Sequence, residues 1–271
     1  MSAQKKILII TQCFPPHGGS GVQRPLFFSK YLSELGWQCV VLTIKENDYP
    51  ITDNELTKHI HPTTKVFRIK DPKSNQRLSD WSTQVDRKIA NIFSKIPIIW
   101  KLNNKLSKIT RTICRPIIRL LSIPDSLVGC LPKFLCEGYK IIRNEKPDII
   151  FSTSPPATTH LAGWILSKIF KITWAADLRD EWTLNPTVSY PGKFYQNLDQ
   201  FLEKSTLNQA DIIISTTLAI AKDTASQIGR DISHFVTITN GHILSPDVTH
   251  NNNLTRHNLL TFIFSGLGSW R

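Results

Sequence analysis

Residues 5–21 read KKILIITQCFPPHGGSG and open the chain with a strand followed by a loop. Residues 5–11 predict a buried parallel strand, because an apolar run follows a basic start. After the Pro- and Gly-rich loop, residues 22–35 carry apolar side chains at helical spacing, and Gly36 is suited to end that helix. Residues 39–44 (CVVLTI) predict a second strand. The three segments together predict a right-handed βαβ unit.

The same alternation resumes further along the 271-residue chain. Strands are predicted at residues 66–69, 148–152, 172–177, 211–215 and 235–239, and helices at residues 132–144, 158–170, 195–209 and 218–228. This rhythm is typical of an α/β fold with a doubly wound, Rossmann-like parallel sheet. We expect residues 1–250 to form this domain. Residues 251–271 are predicted to be a linker followed by the first strand and Gly loop of a second domain.

The net charge of +12 is concentrated in one basic, partly helical segment, residues 65–121. Within it, apolar residues recur at helical spacing from Leu102 to Leu120, and basic residues occupy the flank and back of the same helix. One interpretation is a helix that faces the core and solvates its basic side. The other is a helix at an anionic membrane surface. The candidate membrane contacts are Lys101, Lys105, Lys108, Arg111 and Arg115.

Composition excludes several other classes of protein. The five cysteines are odd in number and have no CxxC spacing, which disfavours a disulfide framework and a zinc site. The N-terminal apolar run is too short for a signal peptide, and no stretch is long enough to span a bilayer, so we expect a cytoplasmic protein, free or peripheral on the inner face of the plasma membrane. Only Trp100 interrupts the basic run as a stacking residue, which disfavours nucleic acid as a partner.

Four loops that follow predicted strands are the candidate site, because ligands of open parallel sheets bind beyond the carboxyl ends of the strands. Glycines let a backbone approach phosphate, carboxylates orient hydroxyls or act as a base, arginine clamps phosphate, and an indole face suits a sugar ring. Asp180 is the candidate catalytic residue. The candidate substrate-binding residues are Gly18, Gly19, Ser20, Ser154, His160, Asp177, Arg179, Trp182 and Asn240.

Each loop also has a purely structural interpretation. The Gly-rich loop after residue 11 alternatively forms a plain tight turn, and so does Asn240 with the glycine that follows it. Ser154 or Thr158 alternatively caps a helix, and His160 packs inside the protein. Arg179 alternatively pairs with a neighbouring aspartate and shapes its own loop. The first loop matches neither GxGxxG nor a Walker loop, and no tyrosine has a lysine four residues on, which disfavours an oxidoreductase or epimerase.

Taken together, the loops resemble the N-terminal domain of family 4 glycosyltransferases, in the branch that builds bacterial surface polysaccharides. The resemblance covers nearly the whole chain. It rests on ILIITQCFPPHGGSG (residues 7–21), IPDSLVGCLP (123–132), KPDIIFSTSPPATTH (146–160), WAADLRDEW (174–182) and ITNG (238–241), in that order.

The resemblance implies a GT-B fold of two Rossmann-like domains, with a retaining sugar transfer from a nucleotide sugar, without a metal, between them. The implied acceptors are lipid-linked or polysaccharide. Gly18 and Gly19 would lie against the donor phosphates or the acceptor, and His160, Asp177 and Asp180 would line the acceptor side of the cleft. The family's donor-binding domain, with its paired glutamates, is absent from these residues, so we expect the chain to be inactive unless a second polypeptide supplies that domain. The alternative is a non-catalytic module that binds acceptor or membrane.

Overall fold

The computed structural model describes residues 4–45, 51–72 and 119–241, and in these residues seven strands form one parallel sheet. The strands are β1 (Lys6–Ile10), β2 (Gln38–Ile44), β3 (Lys65–Ile69), β4 (Ile149–Ser154), β5 (Thr173–Leu178), β6 (Ile212–Ser215) and β7 (Phe235–Thr237). Their spatial order is β3-β2-β1-β4-β5-β6-β7. The chain extends the sheet in one direction from β1 and in the other from β4, which confirms the predicted doubly wound sheet.

The α-helices of the described residues are α1 (Gln23–Glu34), α2 (Leu131–Glu145), α3 (Thr158–Phe170), α4 (Lys193–Leu207) and α5 (Leu218–Ile228). The ends of α5 follow from its capping residues. The Thr217 hydroxyl accepts the amide hydrogen of Ile220 at 3.1 Å, and Gly229 takes the left-handed conformation with φ 69°. The predicted bounds of α3 and α5 are confirmed. Helix α4 begins and ends two residues earlier than predicted, and its N-cap residue is Gly192.

Alternating residues of the strands bury the two faces of the sheet separately. On one face, Leu8, Ile150 and Trp174 belong to a core that also takes side chains from α2 and α3. On the other face, Ile9 and Phe151 pack with a core that includes Leu26 of α1. Because both faces are covered, the strands are apolar along most of their length, as in other parallel sheets.

Several sequence predictions fall outside the described residues. The basic helix over residues 102–120, its candidate membrane contacts and the strand predicted at residues 259–265 belong to this group. The described sheet belongs to a compact unit, Met1–Asn240. The predicted boundary at residue 250 stays a prediction. None of the helices in the described residues is long and apolar enough to cross a membrane.

Candidate functional site

The candidate site lies at the carboxyl edge of the sheet, where the strand order reverses between β1 and β4. These two strands are neighbours and parallel, but β1 is followed by the chain toward β2 and β4 by the chain toward β5. The loops after them therefore leave in opposite directions and open a crevice between them. The predicted substrate-binding residues lie in the loops after β1, β4, β5 and β7 or in the ends of the strands and the helix next to them: Ser154 ends β4, Asp177 is in β5 and His160 is in the first turn of α3.

A buried ion pair between Arg24 and Asp177 joins α1 to β5 near the carboxyl edge of the sheet. Arg24, in the first turn of α1, donates from Nη2 to Asp177 Oδ1 at 2.7 Å and from Nε to Asp177 Oδ2 at 3.0 Å. Thr153, at the end of β4, donates its hydroxyl to Asp177 Oδ2 at 2.7 Å. Neither partner reaches solvent, with 6% of Arg24 and 0% of Asp177 exposed. Asp177 is thus part of the structure beneath the crevice.

Arg24 also reaches the segment after β7. Its Nη1 donates to the carbonyl oxygen of Thr239 at 3.2 Å and to the side-chain oxygen of Asn240 at 3.4 Å. Asn240 is exposed at the end of the compact unit. One guanidinium therefore joins α1, β5 and the exit of the chain from the sheet. Arg24 was not among the predicted site residues, since no local signal shows that its partner lies 153 residues away.

Arg179 holds the loops on the two sides of the crevice together. Its Nε donates to the carbonyl oxygen of Ser154 at 2.9 Å, and its two Nη atoms donate to the carbonyl oxygens of Gly21 and Pro155. A Cβ atom at Gly21 would lie 2.8 Å from Arg179 Nη1, so a larger residue here would have to displace the guanidinium. The alternative that Arg179 pairs with a neighbouring aspartate is wrong for the described residues. Asp177 pairs with Arg24 instead, and the guanidinium of Arg179 is used to bridge backbone.

Of the site residues predicted from the sequence, Gly19, Ser20, Asp180 and Asn240 are exposed, and Arg179 is half-buried. Gly19 has φ 94°, a backbone conformation that favours glycine, and Ser20 begins a short 3₁₀ helix that leads into α1. Gly18 is buried instead, and its amide donates to the carbonyl oxygen of Ile51 at 2.9 Å. Asp180, two residues after the end of β5, is also exposed. A ligand at this edge can reach these four predicted residues in this conformation.

His160 lies beneath the surface, in the first turn of α3. Its Nδ1 is 2.8 Å from the hydroxyl oxygen of Ser152, which also accepts the indole N–H of Trp174 at 2.8 Å. Burial, and secondarily the charge of Arg179, lowers the pKa of His160 to about 3, so the ring is neutral at physiological pH. The prediction that His160 lines the cleft does not match this placement, because the side chain is fully buried.

Trp182 is also turned inward. Its indole N–H donates to Asp199 of α4 at 3.0 Å, and only 7% of the residue is exposed. The ring therefore does not offer an open face to a sugar in this conformation. This contact was not predicted from the sequence. The acceptor Asp199 and the next acid of α4, Glu203, are four residues apart, a spacing that is common on the exposed face of a helix.

Asp125 occupies the N-terminus of α3. Its carboxylate accepts the backbone N–H of Thr158 at 2.8 Å and the hydroxyl of Thr158 at 2.7 Å. Capping by Ser154 or Thr158 is therefore wrong, since the N-cap residue is Ala157 and the capping carboxylate comes from the IPDSLVGCLP segment. Because an internal carboxylate already satisfies this positive helix end, α3 offers no free N-terminus to a phosphate.

The structure describes no metal-binding cluster within residues 4–45, 51–72 and 119–241, where no group of three or more His, Cys, Asp or Glu side chains could hold an ion. The exposed backbone and Asp180 offer hydrogen-bonding groups at this edge. A positive potential from Arg179 lies behind them.

Comparison with known proteins gives matches to solved structures only. The sequence matches no family model and no curated protein. The lipopolysaccharide outer core galactosyltransferase WaaB, in its apo form, aligns with 89% of this chain at 13% identity and a TM-score of 0.48. A glycosyltransferase from Rickettsia africae ESF-5 aligns with 88% at 12% identity and a TM-score of 0.47. Anabaena HepE, in complex with UDP and glucose, aligns with 88% at 14% identity and a TM-score of 0.45. The chain covers 47%, 43% and 45% of these three structures.

Proposed function

We propose that this chain is the acceptor-side domain of a retaining glycosyltransferase of the GT-B type, similar to family 4. It would act on a nucleotide sugar and on a lipid-linked or polysaccharide acceptor in the synthesis of a bacterial surface glycan. One observation carries the proposal. The segments after β1, β4, β5 and β7 resemble the family's motifs, and Arg24 and Arg179 join them by hydrogen bonds at the carboxyl edge of the sheet.

The exposed residues define roles within this proposal. The backbone at Gly19 and Ser20 would approach phosphate or acceptor, since glycine leaves the chain accessible there. Asp180 would hold an acceptor hydroxyl or take its proton, because it is an exposed acid two residues after the end of β5. Arg179 would supply positive charge from behind the carbonyl groups that it bridges. Donor binding would need the second Rossmann-like domain of the family, on a longer chain or on a partner.

Replacing Asp180 tests the proposal. We expect the wild-type chain, supplied with a donor domain, to transfer radiolabelled sugar from a panel of nucleotide sugars to membrane lipid extracts. Asp180→Ala should lower transfer by about 100-fold or more, the range typical of a lost general base. Asp223→Ala, which removes an exposed acid of α5 away from the carboxyl edge, is the matched control and should retain activity.

The possible outcomes test the role of Asp180 and the proposed sugar transfer separately. Normal transfer by Asp180→Ala would remove this aspartate from the site while leaving the transferase intact. If no nucleotide sugar supports transfer but the chain binds glycolipid acceptor, the domain is a binding module and the proposed transfer is wrong.

A further inference from the structure

The β5–α4 loop (residues 179–192) is held against α4 by two buried carboxylates. Trp182 donates its indole N–H to Asp199 Oδ1 at 3.0 Å, and Tyr190 donates its hydroxyl to Asp199 Oδ2 at 2.7 Å. Thr183 donates its hydroxyl to Glu203. Asp199 and Glu203 are one helical turn apart, so both face the loop, and they are 2% and 1% exposed. The start and the end of the loop therefore depend on this pair.

Neutral donors and other acids surround these carboxylates. The charges that act on Glu203 come from Asp199 on its own helix and from Glu181 on the loop. The charge of Asp125, from the segment before α2, acts on Asp199. Each of these neighbours opposes ionisation of the group on which it acts. The side chains that donate hydrogen bonds to the two carboxylates, Trp182, Thr183 and Tyr190, are uncharged.

The remaining elements packed against the cluster also contribute uncharged groups. From α5, the amide of Gln227 donates to the Thr183 hydroxyl at 3.4 Å. From α3, the neutral ring of His160 lies 6.3 Å from the ring of Trp182. The hydroxyl of Tyr190 keeps its proton, because burial and the charges of Asp199 and Glu203 raise its pKa.

Burial, assisted by the charges of Asp199 and Glu181, raises the pKa of Glu203 to about 7, against the hydrogen bonds from Thr183. Burial also raises the pKa of Asp199. If the loop lifts and water reaches Glu203, the pKa of this carboxyl returns toward its ordinary value of 4.5. The closed loop thus retains a proton that the open loop releases near neutral pH, and a rise in pH favours opening.

We propose that Asp199 and Glu203 form a proton-dependent latch, which holds the β5–α4 loop closed most tightly at acidic pH and loosens it as the pH rises through neutral. The loop begins at Arg179 and Asp180, so the latch sets how the exposed Asp180 is presented at the carboxyl edge of the sheet. The inference goes beyond the proposed function and does not depend on it, because it concerns the position of a loop and not the transfer of a sugar.

Hydrogen exchange of residues 180–192, measured by mass spectrometry at pH 6 and pH 8, tests the latch. Each rate is divided by the intrinsic rate of the unstructured peptide at that pH. With the pKa of Glu203 moving from about 7 when closed to 4.5 when open, protection of the loop should fall about tenfold between these pH values. Glu203→Gln keeps an acceptor for Thr183 without the charge and should show no such fall.

Glu55→Gln is the control, because Glu55 is a surface acid whose side chain is 76% exposed, and this variant should behave as the wild type. Equal pH dependence in wild type and Glu203→Gln would overturn the latch. A second result would also overturn the latch. If the protection of α2 and α3 in the wild type falls with pH as much as that of the loop, the change is global and not confined to the loop.

Discussion

Arg24 and Asp177 form a charge pair beneath the crevice, where neither side chain reaches solvent. Removing one member leaves the other buried without a counter-charge, which typically costs about 3–5 kcal/mol. We therefore expect Arg24→Ala to lower the free energy of unfolding by this amount, measured by urea denaturation. Because the same guanidinium bonds Thr239 and Asn240, the variant should also increase proteolysis near Asn240.

The exposed pair of Lys58 and Glu55 gives the matched control for this prediction. Its side chains are 70% and 76% exposed, so Lys58→Ala should change the free energy of unfolding by less than about 1 kcal/mol. Equal effects of the two substitutions would show that Arg24 is hydrated and that the buried pair does not support the crevice.

Gly163 makes a second prediction at the residue scale, because α3 passes close to the sheet at this point. A Cβ atom here would lie 2.6 Å from Trp174 Nε1 and 3.0 Å from Ser152 Oγ, in the network that positions His160. Gly163→Ala should therefore destabilise the fold by about 1–3 kcal/mol, as overpacking does. Gly192→Ala is the control. A Cβ atom at Gly192 would have no other atom within 4 Å, and the backbone there is extended with φ 169°, so the thermal unfolding of this variant should match that of the wild type. A stable Gly163→Ala protein would mean that α3 can move away from β5.

At the scale of elements, the sequence predicts the bounds of a helix when residues next to its ends determine them. The bounds of α5 follow from a capping threonine directly before the helix and a left-handed glycine directly after it, Thr217 and Gly229. The partner of Asp177 could not be predicted in this way, because Arg24 arrives through the fold from another helix. Asp199 and Glu203 were missed for a related reason. Only the packing of the β5–α4 loop shows that the acidic side of α4 is buried.

The basic segment remains a prediction at this scale, since residues 73–118 lie outside the described structure. Replacing Lys101, Lys105 and Lys108 by Glu should release the protein from anionic liposomes in a sedimentation assay, because each basic residue near such a surface contributes about 1 kcal/mol. Binding of the wild type should survive moderate salt if apolar burial also contributes. Unchanged sedimentation of the triple variant would assign the segment to a solvated, core-facing helix.

For the whole molecule, the buried His160 and Glu203 make the free energy of unfolding depend on pH in opposite directions. His160 has a folded pKa of about 3, below its ordinary 6.5, so its contribution to stability is present above pH 6.5 and is lost as pH falls toward 3. Glu203 has a folded pKa of about 7, above its ordinary 4.5, so its contribution is present below pH 4.5 and is lost as pH rises through 7. Between pH 4.5 and 6.5 these two contributions change in opposite directions and nearly cancel.

Glu203→Gln should remove this cancellation. The variant carries no charge at position 203 in either state, so the difference in unfolding free energy between variant and wild type isolates the titration of Glu203. A pKa of about 7 against 4.5 predicts that this difference shifts by about 3 kcal/mol in favour of the variant between pH 4.5 and pH 8. The variant should also lose more stability than the wild type on acidification from pH 6.5, because Glu203 no longer opposes the titration of His160. Urea unfolding of both proteins across this range measures each effect. A constant difference would mean that Glu203 is hydrated in the folded chain and that α4 does not bury its charge.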